Sequence, residues 1–277
     1  MTAIPPFVDA AWLHEHRDEV VLADVRWYLD GRSGAAAFEA GHLPGAVFVD
    51  LERWLAAPGD PARGRHPLPD PEVFAEGMGR AGIGDDTTVV AYDDAGGVVA
   101  ARLVWMLRAT GHEAALLDGG LAAGGDARET GPVDPPSARF TPRPWPTDRL
   151  AGIDDLHAAG RVLLDARDRD RYTGATEPVD PRPGHIPGAR SLPARAMLGP
   201  DGRLRPPEEL RAQLAEVGIG DAADVVASCG SGVTACHTLL VLEALGRPPA
   251  RLFPGSYSQW SRSDRPVATG AQDAPGP

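Results

Sequence analysis

The chain of 277 residues is 43% hydrophobic and 24% charged, enough to bury one large core or two ordinary ones, since domains centre on roughly 100–150 residues. Its 39 acidic residues against 27 basic ones leave a net charge of −12, which argues against nucleic acid or an anionic membrane as a main partner and asks for a local cationic pocket if the substrate is an anion. Two cysteines, Cys229 and Cys236, no opening segment of basic then apolar residues, and no apolar run near the roughly 20 residues of a membrane helix describe a cytoplasmic protein with reduced thiols.

In chain order, the first strong pattern is the short apolar strand Leu22-Ala23-Asp24-Val25-Arg26, followed by the turn Gly41-His42-Leu43-Pro44-Gly45-Ala46. A helical pattern over residues 72–81, a Gly-Ile-Gly-Asp turn at 82–85, the strand Val89-Val90-Ala91-Tyr92 and a helix ending near Gly111 come next. Residues 124–149 are dense in Pro and Gly without a sustained period and read as a linker, with Phe140 and Trp145 available to pin it.

The same elements then recur. Leu164-Asp165-Ala166-Arg167 answers the first strand, and Gly184-His185-Ile186-Pro187-Gly188-Ala189 repeats the first turn 143 residues later, at 184 against 41. Helical residues 208–217, a second Gly-Ile-Gly-Asp turn at 218–221, the strand Val225-Val226-Ala227-Ser228 and a helix ending near Gly246 complete the copy. Alternating strands and helices predict an α/β fold, each half a mostly parallel sheet flanked by helices. The expected division is residues 1–123 and 150–267 as the two domains, 124–149 as the linker, and 268–277 as a disordered tail.

The halves differ at one chemically decisive place. Cys229-Gly230-Ser231-Gly232-Val233-Thr234 follows the last strand and precedes a helix, whereas the first half has Asp93 opposite Cys229. Glycines at 230 and 232 let the backbone curl so that successive N–H groups, with the helix N-terminus behind them, point at one centre. Such a cradle favours a thiolate and then an anionic persulfide, making Cys229 the candidate nucleophile and residues 230–234 its cradle. A carboxylate at Asp93 cannot replace the thiolate as a nucleophile of this kind, so the first half is expected to be structural. A cysteine phosphatase needs an arginine six residues after its nucleophile, where this chain has Ala235.

The paired Asp-x-Arg strand ends, the paired Gly-His-[Ile/Leu]-Pro-Gly turns and the single Cys-Gly-Ser-Gly-Val-Thr loop resemble the two-domain rhodanese-type sulfurtransferases over roughly residues 7–265. Within them the loop is similar to that of the 3-mercaptopyruvate enzymes, since thiosulfate-preferring members more often place basic residues after the cysteine. The resemblance implies two tandem rhodanese-like domains and ping-pong transfer through a Cys229 persulfide, from a small-molecule donor to a thiol, cyanide or a reduced protein thiol. Thiosulfate as donor and a noncatalytic sulfur carrier are the alternatives.

Ser231, two residues after the nucleophile, is placed to hydrogen-bond the donor or stabilise the departing enolate, and Thr234 to cap the helix. A carboxylate donor needs arginine. The resemblance assigns this to Arg171, in Arg-Tyr-x-Gly, and to Arg182 after Glu177-Pro178, although the spacing of Arg182 departs from the family pattern. It also implies a serine, histidine and aspartate relay in which His42 is the histidine. Asp24 with Arg26 and Asp165 with Arg167 occur in both halves and read as architectural, as do His42 and His185 in their repeated turns, the relay being the alternative for His42. Cys236, on the apolar face of the last long helix, reads as a buried small residue or a resolving thiol. Tyr257 and Trp260 either wall the cysteine pocket or pack in the core. With no Cys-x-x-Cys pair or second histidine cluster, neither a metal nor a cofactor is expected.

Overall fold

The structure, a computed structural model, describes residues 4–271. It contains two compact units. Unit 1 takes the residues up to Ala57, Leu68–Pro146 and Pro200–Leu204, and unit 2 takes Pro58–Pro67, Thr147–Gly199 and the residues from Arg205 on. The short stretch Pro58–Pro67, early in the sequence, thus belongs to the later unit.

In unit 1 the strands β1 (Phe7–Val8), β2 (Val20–Asp24), β3 (Ala46–Phe48), β4 (Thr88–Tyr92) and β5 (Ala114–Leu117) form a parallel sheet in the order β1-β5-β4-β2-β3. Helices α1 (Ala10–Glu15), α2 (Gly34–Ala40), α3 (Pro71–Arg80), α4 (Ala101–Ala109) and α5 (Gly120–Ala123) connect the strands. Near-continuous apolar runs such as Val89-Val90-Ala91-Tyr92 are fully buried, as a sheet covered on both faces requires.

Unit 2 repeats the plan with a four-stranded parallel sheet of β6 (Arg161–Asp165), β7 (Arg190–Ser191), β8 (Asp224–Ser228) and β9 (Arg251–Leu252), ordered β7-β6-β8-β9. Its helices are α6 (Arg169–Thr173), α7 (Pro207–Glu216), α8 (Ala235–Ala244) and α9 (Ser256–Trp260). Pro71 and Pro207 begin α3 and α7, where a missing N–H costs nothing. Eight successive residues of α8, from Ala235 to Leu242, are buried, which a helix apolar all round demands.

Phe140 and Trp145 pin the segment expected as a linker, and one expectation, the disordered tail, changes at its start. Residues 127–146 pack on unit 1: Phe140 lies edge-on to Phe74 and stacks on His112, and the Trp145 indole donates to the Pro69 carbonyl at 2.8 Å. The start of the expected tail is ordered as well. Ala268 exchanges both backbone hydrogen bonds with His185, and the Gly270 amide donates to Thr173. Residues 272–277 lie outside the described residues. No helix among the described residues is long and apolar enough to cross a membrane.

Candidate active site

In a parallel α/β sheet the carboxyl ends of the strands open toward ligands, and Cys229 follows the last residue of β8, an interior strand between β6 and β9. The Ser228 hydroxyl donates to the Leu164 carbonyl and the Ala166 amide donates to Ser228, so the strand end is fixed before the loop begins. Cys229 is 2% exposed, and its Sγ accepts the Gly232 N–H at 3.1 Å. Gly232 has φ +79°, and a Cβ there would stand 2.5 Å from the Pro254 carbonyl oxygen, so only glycine permits the curl.

The turn into α9 holds the loop from the other side. The Ser256 hydroxyl accepts the Cys229 N–H at 3.1 Å and donates to the Phe253 carbonyl, while the Tyr257 and Ser258 amides donate to the carbonyls of Cys229 and Gly230. Ser256 itself is held at φ +49°, a left-handed conformation that a non-glycine residue adopts only when its surroundings impose it. Tyr257 and Trp260 belong to the core of unit 2, and their polar tips donate to the Arg182 and Pro266 carbonyls.

Beside the loop sits Pro58–Pro67, the segment that sequence reasoning missed. His66 Nδ1 lies 2.7 Å from Ser231 Oγ, with both residues 8% exposed. The Arg65 amide donates to Ser258 Oγ, and its guanidinium pairs with Asp180. Gly64, at φ +93°, lets this segment lie against the start of α9, because a Cβ would stand 2.6 Å from the Gly255 carbonyl oxygen. The sequence carries one signal for this segment: like Cys229, His66 stands in one half only, outside both Gly-His-[Ile/Leu]-Pro-Gly turns.

His42, for which a relay is the alternative to an architectural role, is a core residue of unit 1. Its ring stacks on Phe38 at 3.8 Å between centroids and its Nδ1 donates to the Phe38 carbonyl, while its backbone pairs with Glu129. His185 repeats this arrangement on Tyr172, and burial lowers its pKa. A residue doing the same thing in both units holds a turn.

Arg182 is also differently employed. Its guanidinium donates to the carbonyls of Trp260, Ser261, Ser263 and Arg265, clasping the chain after α9, and none of these bonds touches the cysteine loop. Arg171 bonds Glu177 and Asp180. Arg167 bonds Asp165, Glu177 and the Gly184 carbonyl, with its guanidinium 3.8 Å from the centre of the Tyr257 ring. Asp180, whose side chain is fully buried, receives Arg65, Arg171 and Arg262. The connected network holds four guanidiniums against three carboxylates, leaving one positive charge beside the loop. Burial alone would raise the Glu177 pKa, but Arg171 and the Asp180 and Val179 amides hold it below the usual range. Burial likewise pushes Arg65 below its ordinary value against the pull of Asp180, and Arg171 adds to the push.

Two smaller expectations resolve. Thr234 precedes α8 with helical φ and ψ and makes no side-chain cap. Cys236 is buried with its thiol donating to the Gly232 carbonyl at 3.3 Å, and both cysteines are free. No group of three or more His, Cys, Asp or Glu side chains among the described residues is placed to hold a metal ion.

The equivalent loop of unit 1 has a different content. Asp93, fully buried, accepts the amides of Ala95 and Gly97 on Oδ1 and those of Val99 and Ala100 on Oδ2. Burial nevertheless raises its pKa against those four bonds. The carboxylate fills its own cradle.

Comparison with known proteins agrees with this architecture. The rhodanese-like domain family matches residues 9–126 and again 150–263. A Pseudomonas aeruginosa protein provisionally named 3-mercaptopyruvate sulfurtransferase is 43% identical, covering 91% of this chain and 93% of its own. A Mycobacterium tuberculosis protein provisionally named thiosulfate sulfurtransferase is 42% identical, over 91% and 92%. The crystal structure of SseA from Escherichia coli, described as a 3-mercaptopyruvate sulfotransferase with the rhodanese fold, superposes with a TM-score of 0.80 at 33% identity, covering 92% of this chain and all of that one. The chain therefore belongs to the rhodanese-like family, as a two-domain sulfurtransferase.

Proposed function

We propose that the chain transfers the sulfur of 3-mercaptopyruvate, through a persulfide on Cys229, to a thiol or cyanide acceptor and releases pyruvate. The observation that carries this reading is the hydrogen bond of 2.7 Å between Ser231 Oγ and His66 Nδ1, two residues from the candidate nucleophile and largely shielded from water. The Cys229 thiolate attacks the donor's thiol sulfur. An S–S bond forms, the C–S bond breaks, and its electron pair passes to the methylene carbon, giving the enolate of pyruvate. That carbon must gain a proton, which Ser231 delivers with His66 behind it. Sulfite leaving thiosulfate needs no such proton, so a buried hydroxyl and imidazole pair beside the loop favours the carbon-bound donor.

The charge beside the loop points the same way, because one surplus positive charge suits the single carboxylate of a 2-oxo acid better than a dianion. In the second half-reaction an acceptor thiolate or cyanide attacks the outer persulfide sulfur, the S–S bond breaks, and Cys229 regains its thiolate. The acceptor class extends to reduced protein thiols. Two free cysteines suit a reducing compartment such as the cytoplasm.

The test compares steady-state transfer from 3-mercaptopyruvate and from thiosulfate, with cyanide and with a dithiol as acceptors, and follows the mass of Cys229. A preference for 3-mercaptopyruvate with a gain of one sulfur, both abolished in Cys229→Ser, is the expected result. Preference for thiosulfate overturns the donor, and sulfur gain in Cys229→Ser overturns the nucleophile.

A further inference from the structure

We infer that Ser258 is a positioning residue, which sets His66 against Ser231 by holding the backbone of Arg65. The inference rests on the proposed reading of the site and adds to it the residue that fixes a contact made across 165 residues of sequence. The Arg65 N–H donates to Ser258 Oγ at 3.0 Å, and that hydroxyl donates in turn to the Gly255 carbonyl at 2.9 Å, so its hydrogen is committed and a lone pair faces Arg65. The Ser258 N–H donates to the Gly230 carbonyl at 2.8 Å. Arg65 precedes His66 and Gly230 precedes Ser231, so these two bonds and the 2.7 Å contact of His66 Nδ1 with Ser231 Oγ close a ring of three hydrogen bonds. Ser258, fully buried, is where the ring passes from Pro58–Pro67 to the cysteine loop.

Other ties hold the segment without setting its register. The Gln259 side-chain amide donates to the Ala62 carbonyl and the Arg65 guanidinium pairs with Asp180, both through long side chains whose rotamers can follow a shifted backbone. Ser258 has only a hydroxyl one bond beyond Cβ, so its bond to Arg65 is lost once the segment slides by about 1 Å. From the other side Gly64, at φ +93°, leaves the room for this contact, since a Cβ would stand 2.9 Å from Ser258 Oγ and 2.6 Å from the Gly255 carbonyl oxygen. An imidazole displaced by about 1 Å would no longer meet Ser231 within hydrogen-bond reach, and misplacement on that scale can cost about 100-fold in rate.

Ser258→Ala in the full-length protein removes the hydroxyl and keeps the backbone bond to Gly230. It should lower the single-turnover rate at saturating 3-mercaptopyruvate roughly 10-fold and leave the half-saturating concentration within about 2-fold. Sulfite release from thiosulfate and alkylation of Cys229 by iodoacetamide should each change by less than about 3-fold. Ser258→Thr, which restores a hydroxyl, should recover most of the loss. Gly64→Ala, which disturbs the same contact from the segment, should give the same selective fall and serves where Ser258→Ala does not fold. The deciding measurement is a double variant: with His66 already replaced by Asn, Ser258→Ala should slow 3-mercaptopyruvate no further, because it acts through the imidazole. Effects that multiply, or a common fall of both donors and of alkylation, would mean that Ser258 supports the loop at large and would overturn the inference. If Ser258→Ala is silent while His66→Asn slows 3-mercaptopyruvate, the inference fails and the reading of the site stands. A silent His66→Asn sinks both.

Discussion

Replacing His66 by Asn keeps a polar side chain of similar size in Pro58–Pro67 but removes the imidazole that meets Ser231 Oγ at 2.7 Å. Both partners are 8% exposed, so bulk water is a poor substitute for the lost proton route. General acid catalysis by a positioned side chain contributes roughly 10²–10⁴-fold, and the lower bound corresponds to about 2.7 kcal/mol of barrier. The departing group that needs this proton is the enolate carbon, whereas sulfite leaves as a stable anion. His66→Asn should therefore lower kcat/KM for 3-mercaptopyruvate at least about 100-fold while changing the thiosulfate value by less than about 3-fold. Ser231→Ala should do the same. The assay is a single turnover with each donor, following pyruvate or sulfite release and the mass of Cys229. An equal fall with both donors would refute the reasoning, since it would mean that His66 supports the shape of the loop and not the proton.

Two further outcomes concern stability. Asp93→Ala leaves four buried amides without their carboxylate and should cost roughly 3–5 kcal/mol, even after the relief of a buried charge. Urea denaturation followed by tryptophan fluorescence reports it, because five of the six tryptophans lie in unit 1, and a loss below about 1 kcal/mol would contradict the bonding described. His237 is fully buried in α8, and burial, with a smaller push from Arg195, lowers its pKa from 6.5 to about 4. The folded value lies below the unfolded one, so this stability is present above pH 6.5 and is lost as the pH falls through 4. At pH 5 the linkage amounts to about 2 kcal/mol. Wild-type protein should lose about that much more than His237→Leu between pH 7 and 5 in urea denaturation, and equal losses would exclude His237 as the cause.

Much of the fold was legible because parallel sheets write themselves as apolar runs, and a doubled motif gives its own control. Val89-Val90-Ala91-Tyr92 and Val225-Val226-Ala227-Ser228 are the interior strands β4 and β8, and the helices expected after residues 71 and 207 begin there. Cys229 was legible for a local reason, since a strand end, glycines and a helix start are consecutive in sequence. Arg65 and His66 were not, because they reach the loop across more than 160 residues from a stretch with no period of its own. Arg182 shows another limit. Residue type identifies a cation, but only the fold shows that backbone carbonyls have already claimed it. Ala268 and Gly270 were read as tail from their small side chains, although what orders them is backbone pairing with His185 and Thr173.

The two loops show how one fold treats different residues at the same strand end. Asp93 places its carboxyl oxygens two bonds beyond Cβ, and at that reach four amides donate to them. A persulfide on Cys229 would carry its charge on the outer sulfur, also two bonds beyond Cβ, from a loop entered by the same kind of strand and left by the same kind of helix. The thiol stops one bond short, and its Sγ accepts the Gly232 amide at 3.1 Å. The unit 1 loop is two residues longer, with α4 starting at Ala101 and α8 at Ala235, so the amides cannot be matched one to one, but the principle transfers. Strand ends of this type turn backbone donors toward the side chain that follows them. In unit 1 the acceptor is a fixed side chain, whereas the persulfide proposed for unit 2 would form and leave with each transfer, which asks the loop to bind sulfur in passing without keeping it.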